Sequence, residues 1–199
     1  ALVVSILVFI LSLPLFTEFD KSTHLMQFVE KHQWVPDWNI TYSLGIDGIS
    51  VLFVLLSTLV TILCVLISWN SIKAKLKEFY IALLVMEGAM IGVFSSLDFF
   101  LFYLFWELML VPMYFLIALW GHENRSTASM KFFIFTQVSG LLMLLSILAL
   151  YFIQGRISGV YTFDYMHLIN TAIPAPAAFW IMLGFLAAFL VKLPAFPFH

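Results

Sequence analysis

The stretch from Phe99 to Trp120 constrains the fold most, because its 22 residues are apolar except for one charge, Glu107, near the middle. At 1.5 Å per residue, a helix of this length crosses a hydrocarbon core of about 30 Å. A carboxylate at that depth costs about 2.5 kcal/mol or more, so it requires a partner or a wet cavity. Pro112 cannot donate to the carbonyl of Leu108, which predicts a kink one turn from the acid. We therefore predict a membrane helix with a polar face.

The composition of the whole chain places it in the membrane. Its residues are 63% hydrophobic and 10% charged, whereas soluble domains carry about 25% charged residues. The net charge of -2 is too small to indicate a nucleic-acid partner. Cys64 is the single cysteine, which excludes an internal disulfide and a cysteine-based metal cluster.

Hydropathy predicts an all-α integral membrane protein with about six transmembrane helices, forming one membrane domain over residues 1–199. The predicted spans cover residues 2–16, 48–69, 79–96, 99–120, 131–153 and 179–198. Pro194 and Pro197 break the last of them. Residues 17–47 and 154–177 are predicted as loops. The chain begins at Ala1 without Met and stops soon after the broken segment, so we expect a piece of a longer protein.

The basic residues of the loops predict the orientation of the helices. Loops 70–78 and 121–130, with the start of the fifth span, contain five of them: Lys73, Lys75, Lys77, Arg125 and Lys131. The longer loops 17–47 and 154–177 contain three: Lys21, Lys31 and Arg156. The positive-inside rule therefore places loops 70–78 and 121–130 in the cytoplasm.

Three ionisable residues from three predicted spans lie in one central layer. Below the outer edge, we expect Glu107 at about 12 Å, Lys192 at about 16 Å and Glu87 at about 18 Å. Acids and bases at one depth are what a proton path requires, because protons move between titratable side chains and ordered water. Structural pairing between helices remains the alternative for each. Lys192 is also able to snorkel, and the small neighbours of Glu87 could simply let helices approach.

Two further residues are weaker candidates for proton transfer. His199 titrates near neutral pH and could relay protons, and Lys131 either takes part or snorkels at the basic face. Asp98 and Asp47 fit helix N-caps. The other histidines lack the spacing of metal ligands, so we predict no metal site; they are His24, His32, His122 and His167.

Four strings of residues resemble a known family. They are FWELMLVPMYFLIALWG at 105–121, KFFIFTQVSG at 131–140, LGIDGIS at 44–50 and VKLPAFPFH at 191–199. Together they resemble subunit M of bacterial NADH–quinone oxidoreductase, respiratory complex I, whose mitochondrial counterpart is chain 4. Subunits of multi-subunit sodium/proton antiporters are also relatives.

The resemblance implies an antiporter-like subunit of about 14 helices, built on two inverted five-helix repeats, of which this chain would be the N-terminal part. Glu107 matches the family's essential glutamate, and Lys192 matches its lysine on a discontinuous helix. Lys131 matches, more weakly, a lysine at the head of the following span. Glu87 has no family-wide match.

The function expected from the resemblance is proton translocation coupled to quinone reduction by NADH. The subunit would carry no cofactor, whereas partner subunits would carry the NADH, FMN, iron–sulfur and quinone sites. Its partners would be other membrane-arm subunits and the lipid bilayer, with no nucleic acid, in a bacterial inner membrane. Two alternatives stay open: a subunit of a multi-subunit sodium/proton antiporter, and a structural membrane subunit whose charges only pair helices.

Overall fold

The structure is a computed structural model that describes residues 1–198. His199, predicted as a proton relay, lies outside the described residues. The helices are α1 (Leu2–Thr17), α2 (Ser50–Ser71), α3 (Leu76–Ser95), α4 (Phe99–Leu108), α5 (Leu110–Trp120), α6 (Arg125–Ser158), α7 (Tyr165–Leu168) and α8 (Ala175–Lys192). The strands are β1 (Gln27–Val35) and β2 (Ile40–Ile46).

Within residues 1–198, five helical segments are long and apolar enough to cross a membrane, and α1 is a shorter apolar helix. This agrees with the prediction of about six spans. Helices α4 and α5 together form the span from Phe99 to Trp120. They are separated at Met109, three residues before Pro112. The helix is therefore interrupted next to Glu107, as expected where a proline removes one helical donor and its ring displaces the preceding turn.

Helix α6 is longer than predicted, because it begins at Arg125 and ends at Ser158 instead of covering 131–153. Its 34 residues extend for about 51 Å at 1.5 Å per residue. That length exceeds the hydrocarbon core, so its polar ends continue as helix outside the apolar layer. Gly159 ends it in the left-handed conformation, at φ 75°, which glycine adopts without steric cost.

The segment 17–47, predicted as a loop, contains an antiparallel β-hairpin, so that prediction was wrong. A short turn at Pro36–Trp38 connects the strands, and Asn39 follows it in the left-handed conformation. Apolar residues occupy every second position of β2, from Ile40 to Ile46, which is a strand pattern. The buried side chains do not follow it, because Thr41 and Ser43 are buried whereas Tyr42 is exposed.

Backbone hydrogen bonds attach this hairpin to the α3–α4 turn, and attach that turn to the segment before α7. The Leu97 amide, between α3 and α4, donates to the Ser43 carbonyl at 2.8 Å. On the other side, the Phe99 amide donates to the Phe163 carbonyl at 2.8 Å. We call this end of the bundle the hairpin face; it comprises β1, β2, the α3–α4 turn and residues 159–164.

Two aspartates reinforce the hairpin face. Asp98 caps α4 as predicted, because its Oδ1 accepts from the amides of Phe100 and Leu101. Its Oδ2 accepts from both the amide and the hydroxyl of Thr41. Asp164 caps α7 and accepts from Lys31 Nζ at 2.5 Å.

The core of the bundle is built around α6. Met143 and Ile147 of α6 are fully buried and pack with Phe163 and Ala188. Helix α8 approaches α6 closely at Gly184, where an added Cβ would lie 2.0 Å from the Ser146 Oγ. Small residues at such a crossing allow two membrane helices to pack backbone against backbone.

The end of α8 confirms the predicted break. The helix ends at Lys192, and the Leu193 amide makes its last regular hydrogen bond, to Phe189. The Ala195 amide then bonds five residues back, to the Leu190 carbonyl at 2.9 Å. Pro194 cannot continue the helical ladder because it has no amide hydrogen.

Candidate functional site

Glu107 lies in the last turn of α4, two residues before the interruption at Met109. Its carboxylate points at α6, where Gly140 has no side chain to obstruct it. A Cβ at Gly140 would lie 1.9 Å from the Glu107 Oε1. The carboxylate therefore occupies space that only a glycine at position 140 leaves open.

Lys192, the last residue of α8, reaches the same region from the opposite side. Its Nζ donates to the Trp106 carbonyl at 2.9 Å. It also lies 4.0 Å from the centroid of the Trp106 ring. The last four carbonyls of a helix lack intrahelical donors, so the interruption of α4 supplies the acceptor that binds this ammonium.

Glu107 and Lys192 line one small cavity between α4, α6 and α8, which we call the inner cavity. Its other lining residues are Trp106, Leu110, Thr136 and Ser139. The inner cavity has a volume of about 10 Å³, close to the smallest space that holds one water molecule. Within residues 1–198, the two charged groups form no ion pair at 4.0 Å or less.

Glu87 on α3 is a buried carboxylic acid, with 2% of its surface exposed. Within residues 1–198, its Oε1 has no hydrogen-bond partner. Five residues further along α3, Gly92 lies against the Phe105 ring of α4. Glu87 is therefore on the helix that packs beside both α4 and α5.

Lys131 is not among the residues that surround Glu107 and Lys192. Its side chain is exposed, in the second turn of α6, and it does not line the inner cavity. Because α6 starts at Arg125, Lys131 lies about two turns inside the helix and not at its beginning.

Sequence reasoning missed the residues that surround the pair. Thr136, Ser139 and Gly140 bring the small and polar surface of α6 to the inner cavity. Their spacing of three and four residues, within an otherwise apolar helix, is the signal that could have identified them. Within residues 1–198, no group of three His, Cys, Asp or Glu residues is placed to bind a metal ion.

Comparison with known proteins assigns the chain to a family. Residues 96–199 match the family described as NADH:quinone oxidoreductase/Mrp antiporter, TM. The chain belongs to this family. It therefore shares the antiporter-like transmembrane fold, and its apolar helices make it a multi-pass membrane protein.

Curated relatives in the NADH:quinone oxidoreductase/Mrp antiporter family are much longer. The NADH-quinone oxidoreductase subunit M of Escherichia coli is 49% identical over 171 residues, which are 83% of this chain and 34% of that protein. The F(420)H(2) dehydrogenase subunit M of Methanosarcina mazei is 45% identical over 192 residues, 95% of this chain and 39% of that protein. The chain thus spans between about a third and two-fifths of the length of these relatives.

Solved structures show the same fold. A chain of respiratory complex I from Thermus thermophilus with bound NADH matches with a TM-score of 0.85 and 33% identity, over 100% of this chain and 40% of that chain. A chain of the Mrp complex from a Dietzia species matches with a TM-score of 0.81 and 18% identity, over 98% of this chain and 21% of that chain. The second match shows the fold alone.

Proposed function

We propose that this chain is the N-terminal part of a proton-translocating membrane-arm subunit of an NADH–quinone oxidoreductase. The family and the 49% identity to a subunit M support this assignment. The observation that carries it is the inner cavity, where an acid on α4 and a base on α8 face each other at two helix interruptions. Interrupted helices at membrane depth recur at transporter ion sites.

The proposed cycle moves the Lys192 ammonium between two positions. In this structure it is bound to the Trp106 carbonyl and forms no ion pair with the Glu107 carboxylate at 4.0 Å or less. While Lys192 is bound to Trp106, Glu107 takes up a proton from water in the inner cavity. When the ammonium moves to Glu107, its positive charge favours the ionised carboxylate, and the proton returns to water. Glu107 and Lys192 are the residues to which we assign proton transfer.

The energy for this movement comes from partner subunits. We assign no redox group to this chain, and we assign NADH, FMN, iron–sulfur clusters and quinone to the partners. Reduction of quinone would shift the equilibrium between the two ammonium positions through contacts between neighbouring membrane-arm subunits. The Methanosarcina relative belongs to an F(420)H(2) dehydrogenase, so we assign the choice of electron donor to the partners.

The proposed location is the bacterial inner membrane. The positive-inside rule places loops 70–78 and 121–130 in the cytoplasm. The hairpin face, at the other end of the helices, then lies on the outer side of the membrane.

A second candidate is a subunit of a multi-subunit sodium/proton antiporter, because the description of the matched family names the Mrp antiporter beside NADH:quinone oxidoreductase. The purified complex separates the two candidates. Flavin and iron–sulfur proteins that co-purify with the complete subunit support the first, whereas a complex without them and with sodium-dependent proton exchange supports the second.

The proposed function is tested by Glu107→Gln in the complete subunit, assembled in its complex. Glutamine keeps the size and one acceptor but does not ionise. We expect assembly to persist while proton uptake into vesicles, per assembled complex on a native gel, falls by about tenfold or more. Quinone reduction should fall with it if the two are tightly coupled.

Two variants control this experiment. Glu107→Asp retains ionisation with a shorter reach, so it should keep part of the pumping. Glu123→Gln removes an exposed charge in the α5–α6 loop and should leave pumping unchanged. Normal pumping per complex in Glu107→Gln would leave Glu107 with a scaffold role only.

A further inference from the structure

A second, larger cavity approaches the inner cavity from the hairpin face. We call it the hairpin cavity; its volume is about 370 Å³. It runs from Asp47 and Ser50, at the start of α2, past Phe102 to Trp106 and Phe189. Among residues 1–198, Trp106 is the one residue that lines both the hairpin cavity and the inner cavity.

The Trp106 indole is held in place by contacts on several sides. The Phe189 ring packs against it edge to face, with centroids 5.3 Å apart, and the Phe102 ring packs at 5.7 Å. The Lys192 Nζ lies 4.0 Å from its centroid. A cation at this distance from an indole face is attracted by the ring quadrupole, and tryptophan is the strongest such partner among the side chains.

In this structure the Lys192 ammonium is bound to Trp106 and not to Glu107, although both residues line the inner cavity with it. While Lys192 Nζ is bound to Trp106, it forms no ion pair with Glu107. Movement of Lys192 to Glu107 would therefore remove both the charge over the ring and the donor to the Trp106 carbonyl. The indole would then be held by its aromatic neighbours alone.

We propose that Trp106 is a positioning residue that closes the passage between the two cavities while Lys192 is bound to it, and opens the passage when Lys192 moves to Glu107. This inference rests on the proposed function, in which Lys192 occupies both positions. The position of Lys192 would then decide whether the inner cavity is accessible from the hairpin face. With Lys192 on Glu107, the proton expelled from the carboxylate meets water that is continuous with the hairpin face. With Lys192 on Trp106, the inner cavity is separated from that face.

The inference is tested by measuring access to the inner cavity with a cysteine probe. Ser139 lines the inner cavity and is buried, so Ser139→Cys introduces a thiol of similar size there. The background carries Cys64→Ala, because Cys64 is the single cysteine of these 199 residues, and a sample without Ser139→Cys accounts for the thiols elsewhere in the complex. The probe is a membrane-impermeant methanethiosulfonate reagent, applied to vesicles of both orientations that contain the assembled complex. Exposed Ser22, changed to Cys in a parallel sample, shows which vesicles present the hairpin face.

We expect Trp106→Ala to increase the rate of Ser139→Cys modification from the hairpin face by about tenfold or more, and to increase the passive proton leak. Trp106→Phe retains a ring and should give a rate close to that of the unchanged tryptophan. Lys192→Met, which keeps Trp106 but removes the ammonium, should also increase the rate. The matched control is Trp180→Ala, since Trp180 is an exposed tryptophan of α8 outside both cavities.

Equal modification rates with and without the Trp106 side chain would overturn the inference. If Trp106→Ala does not assemble, Lys192→Met decides the question, because an unchanged rate there removes the role of the ammonium. The modification rate reports access whether or not the complex pumps. A failure of this inference is therefore distinguishable from a failure of the proposed function, which Glu107→Gln tests through proton uptake.

Discussion

Gly140 of α6 faces the Glu107 carboxylate so closely that a methyl group on its Cα would lie 1.9 Å from Oε1. No real Cβ–oxygen contact is this short, so one of the two groups would have to move. The carboxylate is at the free end of a flexible side chain, whereas the α6 backbone is fixed in the core. A larger residue at position 140 would therefore displace the acid from the inner cavity.

Gly140→Ala is expected to reduce proton uptake per assembled complex by about tenfold to a hundredfold, because a misplacement of about 1 Å has effects of this size on catalysis. Assembly should be retained, since alanine favours a helix interior over glycine by about 1 kcal/mol. Gly88→Ala is the matched control, because a Cβ at that exposed helical glycine meets nothing within 4 Å. Similar pumping in the two variants would contradict the prediction.

Glu87→Gln tests whether the buried acid of α3 takes part in translocation. A carboxyl oxygen buried without a partner is unfavourable for folding, and Glu87 Oε1 has none within residues 1–198. We expect proton uptake per complex to fall severalfold while the thermal midpoint of the complex stays the same or rises. The control is Glu78→Gln, an exposed acid at the start of the same helix. Full pumping with a higher midpoint would leave Glu87 without a role in transfer.

Thr41→Ala is expected to loosen the hairpin, because the Thr41 hydroxyl donates to the buried Asp98 carboxylate at 3.1 Å. Burial raises the pKa of Asp98, and the hydrogen bonds from Thr41, Leu101 and Phe100 oppose that rise. With the folded pKa above its unfolded value, this carboxyl contributes most to stability at low pH, and its contribution decreases as pH rises through the folded pKa.

The hydroxyl matters most above that pKa, where it donates to an ionised group. The measurement is hydrogen exchange of the β2 amides in the complete protein, with Thr41→Ser as the control that retains the hydroxyl. We expect Thr41→Ala to lose about 1 kcal/mol or more of protection relative to Thr41→Ser, with a larger difference at higher pH. Equal protection of the two variants at all pH values would show that the hydroxyl does not hold the hairpin.

The helical spans were predictable from sequence because the bilayer imposes one length and one composition on them. The breaks at Pro112 and Pro194 were predictable for a similar reason, since a missing donor interrupts the ladder in any context. The ends of α6 were not predictable, because the hydropathy signal stops at the edge of the apolar layer. The helical hydrogen bonding of the backbone continues beyond it, into the polar region.

The candidate site was predictable only in part. Glu107 and Lys192 are conspicuous as charges within apolar runs, but Trp106 is one aromatic among many in a chain that is 18% aromatic. Its position depends on the orphan carbonyl that the break exposes and on the reach of Lys192 from another helix. The spacing of Thr136, Ser139 and Gly140 marks a small and polar surface of α6, but the role of Gly140 depends on Glu107 of another helix.

The backbone bonds at the hairpin face have a mechanical consequence. They join β2, the α3–α4 turn and the segment before α7, so we expect these ends of the helices to move together. The interruptions at Met109 and Leu193 lie further along the helices, where the regular helical hydrogen bonding is already interrupted. Bending would therefore concentrate at these two pivots. Glu107 and Lys192 lie within two residues of them, so a small rotation at either pivot changes the separation of the charges while the hairpin end stays stationary.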